Sequence, residues 1–160
     1  MPESTEKRRV LFVCLGNICR SPIAEAVFRH ICNQRGLADR WEADSCATGS
    51  WHTGSNPDRR AMKILANHDI TNYEHRARQL CDEDFDNFDF IFGMENSNIA
   101  TIKEMAPSAN YRASIELLGK YDPKGHKIIR DPYYDSGSAG FEEVFEQCKR
   151  ACLAFLEQHK

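Results

Sequence analysis

Apolar residues fall along the chain in two alternating rhythms. Val10, Leu11, Phe12 and Val13 form an unbroken run of mostly β-favouring residues, the pattern of a strand covered on both faces in a parallel sheet. A helical period follows at once. Ile23, Val27 and Ile31 recur at i, i+4 and i+8 with Ala24 and Phe28 beside them, and Gly36 stands where such a helix would end. The order then repeats, with a strand over Glu42–Thr48, a loop holding Gly49, Gly54 and Pro57, and a helix through Arg59–Asn67 whose apolar face includes Met62, Leu65 and Ala66. Phe88–Phe92 is another β-rich run, leading into a helical stretch near Asn96–Met105 that stops at Pro107. Towards the C-terminus, Phe141, Val144, Phe145, Cys148, Ala151, Cys152 and Phe155 share one helical stripe, with Glu and Lys opposite.

Strands alternating with helices predict an α/β fold, a doubly wound sandwich in which a ligand would sit at the C-terminal ends of the strands. No internal repeat or low-complexity tract interrupts the chain, so one domain is expected over residues 1–160, with 1–8 as a flexible N-terminal extension.

Composition narrows the function classes. The 160 residues are 41% hydrophobic and 28% charged, the balance of an ordinary globular domain and not of a disordered chain. The longest apolar runs, Val10–Leu15 and Ala151–Leu156, are six residues each. A bilayer helix needs roughly 20, so no membrane association is expected. Met1–Arg9 lacks an apolar signal core, and Pro2 stands where myristoylation would require glycine. Lys and Arg total 21 against 24 Asp and Glu, a formal charge of -3, so net charge implies no nucleic-acid partner and an anionic ligand would need a local site. Seven cysteines, an odd number without a secretion signal, suit free thiols in a reducing cytoplasm.

The segment that carries chemistry is Val13-Cys14-Leu15-Gly16-Asn17-Ile18-Cys19-Arg20-Ser21-Pro22, which joins the first strand to the first helix. Pro22 suits a first helical turn, and Ser21 is placed to cap it. Gly16 and Asn17 tolerate positive φ, so the loop can curl until successive N–H groups converge, and such a nest at a helix N-terminus binds anions. A cysteine at the start of that loop would meet the helix dipole, the converging amides, Arg20 and the Ser21 hydroxyl. Each of these favours thiolate over thiol. The guanidinium of Arg20 can clamp two phosphoryl oxygens while the sulfur attacks phosphorus in line.

Val13–Pro22 resembles the phosphate loop of the low-molecular-weight protein tyrosine phosphatases, and Asp131-Pro132-Tyr133-Tyr134-Asp135 resembles their general-acid loop. The resemblance implies a mostly parallel four-stranded sheet flanked by helices on both faces. It also implies a hydrolase that cleaves phosphotyrosine and aryl phosphates through a phosphocysteine, with acid phosphatase activity on small aryl phosphates. Cys14 is then the nucleophile, Arg20 the clamp and Asp131 the general acid and later base, with Asp135 a weaker candidate for that role. The Leu15, Gly16, Asn17, Ile18, Cys19, Arg20 and Ser21 segment holds the phosphoryl oxygens, and Leu15, Trp51, Tyr133 and Tyr134 wall the substrate pocket.

Ser21, Asn17, Ser45 and His75 match positions that support the loop. Met94-Glu95 stands where the family commonly has Met-Asp, leaving open whether Glu95 partners His75. Cys19 is placed to trap oxidised Cys14 as a disulfide, which would protect it from sulfinic acid. Cys148 and Cys152 are expected in the core. No metal and no cofactor is called for, and the partners implied are phosphotyrosine proteins and phosphate or other oxyanions, bound by a monomer.

Two other classes compete. An arsenate reductase of the same fold also uses C-x5-R but passes oxidation to further cysteines, and Cys81 is the only cysteine between Cys46 and Cys148. A non-catalytic phosphotyrosine-binding module would keep Arg20 and the amides without needing both a nucleophile and an acid.

Overall fold

The computed structural model describes residues 7–160. Its order is β1 (Arg8–Cys14), α1 (Arg20–Gln34), β2 (Trp41–Ala47), α2 (Arg59–Asn67), α3 (Asp84–Asn87), β3 (Phe90–Gly93), α4 (Asn96–Met105), β4 (Ser114–Leu117), a 3-10 turn (Leu118–Tyr121) and α5 (Ala139–Gln158). The strands pair in parallel in the order β2-β1-β3-β4. This is the four-stranded α/β sandwich expected. The proposed extension falls mostly on residues 1–6, which lie outside the described residues, whereas Arg8 is already the first residue of β1, pairing with Trp41.

The continuous apolar run of β1 has the cause anticipated for it. Side chains alternate across a strand. Val10 and Phe12 accordingly enter one core with Phe28, Ile31, Leu65, Phe145 and Phe155, while Leu11 and Val13 enter another with Phe85, Phe88, Ile91 and Ile102. The first core is sealed by α1, α2 and α5 and the second by α3 and α4, so both faces of the sheet are dry. Phe155 meets Trp41, Phe90, Phe92 and Tyr121 edge-on, a geometry that aromatic quadrupoles favour.

Helices α2 and α4 match their predicted ranges. The strands shift by one or two residues, and β4, a four-residue strand in which the polar Ser114 and Glu116 alternate with Ile115 and Leu117, gave no distinct run in the sequence. Asp122-Pro123 is structural: Asp122 is fully buried, takes two bonds from Arg150 at 3.0 and 2.9 Å, and caps the turn at Lys124.

Candidate active site

Strand β1 ends at Cys14, in the middle of the sheet, where the chain turns into α1. The order of strand addition reverses about this point, since β2 lies on one side of β1 and β3 on the other. Ligands in doubly wound sheets bind at such crevices. Four loop carbonyls are already taken: Cys14 by Thr48 N at 3.0 Å, Leu15 by Gly49 N at 3.0 Å, Ile18 by Asp58 N at 2.7 Å and Cys19 by Ile23 N at 3.2 Å. No peptide is cis, and a trans peptide sets its N–H opposite its C=O. The amides of Leu15, Gly16, Cys19 and Arg20 therefore turn away from those partners, towards the hollow of the loop. Amides arranged this way have the form of the nest expected from Gly16 and Asn17, with one difference in the backbone.

Positive φ occurs at Asn17, at 59°, and not at Gly16. Glycine matters at position 16 for space, because a Cβ there would lie 3.0 Å from the ring of His52.

Asn17 is fully buried and accounts for its unusual backbone with its side chain. Its Nδ2 donates to Ser21 Oγ at 2.9 Å and to Ser45 Oγ at 3.0 Å, while Oδ1 accepts from His75 Nε2 at 2.8 Å and Arg78 N at 3.1 Å. Ser45 in turn donates to Glu25 Oε1 at 2.6 Å, as Tyr73 does at 2.7 Å. Burial pushes the Glu25 carboxyl up and the His75 imidazole down from their ordinary values. The four supporting residues named from the sequence thus meet in one network.

The sulfur of Cys14 accepts from Asn17 N at 3.3 Å and lies 3.0 Å from Ser21 Oγ. Ser21 does not cap α1. Cys19 occupies the cap position and makes no side-chain cap bond, and Ser21 sits inside the first turn with its hydroxyl against Cys14. Ser21 Oγ accepts from Asn17, and its own proton can point at the sulfur, with the Cys46 carbonyl, at 3.5 Å, as the more distant alternative acceptor.

Arg20 is 2% exposed. Its Nη1 donates to Glu95 Oε2 and, at 3.0 Å, to the Ile129 carbonyl; its Nη2 lies 3.5 Å from Asp131 Oδ2; its Nε has no partner. A buried guanidinium with one free donor edge beside the Cys14 loop is prepared for an anion. The partner of Glu95 is therefore Arg20, and the carboxylates beside His75 Nδ1 are Glu25 at 3.5 Å and Asp44 at 4.0 Å.

A cavity of about 370 Å³ opens over the loop, lined by Cys14, Leu15, Gly16, Ile18, Cys19, Arg20, Trp51, His52, Asp131, Tyr133 and Tyr134. Asp131, 117 positions from Cys14 in sequence, is brought to its wall with Oδ1 capping Tyr133 N at 3.1 Å. Asp135 is not: Arg130 holds its carboxylate at 2.9 and 2.7 Å and keeps it below the usual carboxylate range, so it is no candidate acid. Trp51 and Tyr134 stand out from the rim, 72% and 92% exposed, while Tyr133 packs between Tyr134 and His52.

Sequence reasoning missed three groups. His52 carries no motif. Arg60 holds the acid loop through the carbonyls of Tyr133 and Asp135, both at 2.8 Å, and nothing in its surface-helix setting announces it. Glu25 did leave a signal, as a charge one turn beyond Ser21 on an otherwise apolar stretch of α1. Cys148, Cys152, Cys32 and Cys46 are buried free thiols, and Cys81 is exposed.

Residues 9–160 match the family model described as low molecular weight phosphotyrosine protein phosphatase. The phosphatase of that name from Sus scrofa is 51% identical over 152 residues, covering 94% of this chain and 95% of the relative. Among solved structures, a protein tyrosine phosphatase from Entamoeba histolytica superposes with a TM-score of 0.89 at 32% identity, over 96% of this chain and 97% of that one. A Drosophila arginine phosphatase gives 0.88 at 39%, over 94% and 97%. The chain belongs to the low molecular weight phosphotyrosine protein phosphatase family.

Proposed function

We propose that this protein hydrolyses phosphotyrosine and other aryl phosphates, small acid-phosphatase substrates included, through a phosphocysteine on Cys14. One observation carries the reading: Cys14 Sγ, hydrogen-bonded by Asn17 N and close to Ser21 Oγ, shares one cavity with the free edge of Arg20 and with Asp131.

The sulfur attacks phosphorus and the P–O bond to the tyrosine oxygen breaks. Asp131 gives its proton to the departing phenolate, which leaves as neutral phenol. Arg20 and the amides of the Leu15–Arg20 segment hold the three equatorial oxygens, where charge concentrates in a loose transition state. Asp131, now a carboxylate, takes a proton from water as that water attacks the phosphocysteine. Inorganic phosphate departs and the sulfur is restored. Leu15, Trp51, Tyr133 and Tyr134 would flank the phenyl ring, and a wall of this height suits an aryl leaving group better than the short stem of phosphoserine.

Cys19 lies in the same loop, and burial next to Asp58 pushes its thiol well up. With peroxide as oxidant, Cys14 becomes a sulfenic acid, and attack by Cys19 would form the disulfide with release of water. Seven free thiols agree with a reducing cytoplasm. Among the described residues, no helix is long and apolar enough to cross a membrane. We read the enzyme as a monomer.

Steady-state rates on p-nitrophenyl phosphate and on phosphotyrosine, phosphoserine and phosphoarginine peptides test the substrate class. The aryl substrates should lead. Faster turnover of phosphoarginine would move the assignment towards the activity named for the Drosophila structure, and arsenate-dependent thiol oxidation without phosphate release would move it to a reductase.

A further inference from the structure

His68, Glu142 and Glu146 form a cluster outside the catalytic cavity. His68 closes α2, and its ring lies flat on Phe145 of α5, with centroids 3.8 Å apart and 11° between the planes. That stack fixes the imidazole plane and sends Nε2 to Glu142 Oε2 at 2.8 Å. Glu146 follows Glu142 by one helical turn, on the same face of α5. One ligand atom from each of the three residues lies within 4.8 Å of the other two. Zinc takes imidazole nitrogen and carboxylate oxygen at about 2.0–2.2 Å, so ligand atoms at this spacing close on an ion with small rotations of the two Glu side chains.

Charge points the same way. Two carboxylates at i, i+4 repel. The guanidinium next along the helix, Arg150, is turned to Asp122 through both Nε and Nη2, and among the described residues no Lys or Arg pairs with Glu146. The His68–Glu142 bond alone leaves Glu146 unexplained.

We propose that His68 Nε2 and one oxygen each from Glu142 and Glu146 bind a divalent transition-metal ion of the zinc type, with water completing the shell. In the bound form the imidazole carries its proton on Nδ1, and the Nε2 lone pair faces the metal. One imidazole with two carboxylates suits zinc, cobalt or nickel; magnesium and calcium prefer all-oxygen sites. The ion would tie the end of α2 to α5. Because α2 begins beside Arg60, which holds the acid loop, this staple adds stability to the wall of the active site without entering the reaction.

The test is zinc titration by calorimetry on the full chain, stripped with EDTA and held in a non-chelating buffer. Wild type, Glu146→Gln, His68→Ala and Cys14→Ser are compared, with cobalt(II) absorption in parallel. One ion per chain is expected, unaffected by Cys14→Ser. The cobalt spectrum should lack a thiolate charge-transfer band, and zinc should raise the unfolding temperature. Loss of an outer partner alone costs metal sites 10–100-fold, so each ligand variant should weaken binding by at least about tenfold and cancel the thermal shift. Hydrolysis in EDTA should match that of the untreated enzyme. Absence of zinc binding, wild-type affinity in Glu146→Gln and His68→Ala, or binding that vanishes with Cys14→Ser and shows a thiolate band would each overturn the assignment.

Discussion

His75 Nε2 donates to Asn17 Oδ1 at 2.8 Å, and this bond fastens the one left-handed residue of the catalytic loop to a segment 58 positions away. The left-handed conformation costs a residue with a Cβ about 1–2 kcal/mol, and leaving buried partners unsatisfied costs about 1–3 kcal/mol. Asn17→Gly removes only the side-chain bonds, whereas Asn17→Ala adds the backbone strain. Both should lower kcat at least about tenfold through a misplaced loop, and urea unfolding should find the alanine variant the less stable of the two by about 1 kcal/mol. Wild-type kcat in Asn17→Ala would show that the loop keeps its shape without this network.

Asp131→Ala tests the proton donor. General acid catalysis contributes about 10²–10⁴-fold, and its loss should be felt most where the leaving oxygen is most basic. Rates on a series of aryl phosphates should therefore fall steeply with leaving-group basicity in the variant and weakly in the wild type. An equal loss across the series would assign Asp131 to binding.

Arg60 acts on the reaction through others. Its bonds to the Tyr133 and Asp135 carbonyls hold the segment that carries Asp131. Arg60→Ala should cut kcat/KM for phosphotyrosine roughly tenfold through lost alignment, with the leaving-group dependence moved towards that of Asp131→Ala. A fall in thermal stability with unchanged kinetics would confine Arg60 to a structural role.

The Asp122–Arg150 pair sets an acid-dependent part of stability. Burial by itself would raise the Asp122 carboxyl, but the Arg150 bonds and the Lys124 amide outweigh it and hold the group below its ordinary value. A depressed pKa stabilises the fold above the unfolded value of about 3.9 and loses that contribution as pH falls through the lower folded value. Asp122→Asn should thus cost about 2 kcal/mol at pH 7, less than a fully buried pair because Arg150 reaches solvent. The deficit should shrink as urea unfolding is repeated at successively lower pH. A constant deficit would show that packing, not charge, is what the substitution removes.

Much of the fold was readable because β1 and the helices after it are periodic on a local scale. Val10–Val13, Ile23–Ile31 and the α5 stripe each announce their buried faces. The proposed nucleophile, clamp and acid could be picked out because the chemistry assigned to them falls on motifs, Cys14 and Arg20 within one short loop and Asp131 before Pro132. What stayed hidden depends on distant packing. Glu95 meets Arg20 only because β3 lies beside β1, Asp135 is withdrawn by its neighbour Arg130, and the left-handed turn falls on Asn17 because Ser21, Ser45 and the His75–Arg78 stretch converge there. Short β4, without a long apolar run, is specified by its neighbour β3 more than by its own residues.

The most direct test is to trap the covalent intermediate. Turnover of p-nitrophenyl phosphate by Asp131→Ala, whose second step lacks its base, is quenched rapidly and the peptide containing Cys14 is weighed. A phosphoryl group on Cys14, absent from Cys14→Ser, is the predicted result; hydrolysis at the wild-type rate by Cys14→Ser, with no phosphorylated cysteine in either variant, would contradict it.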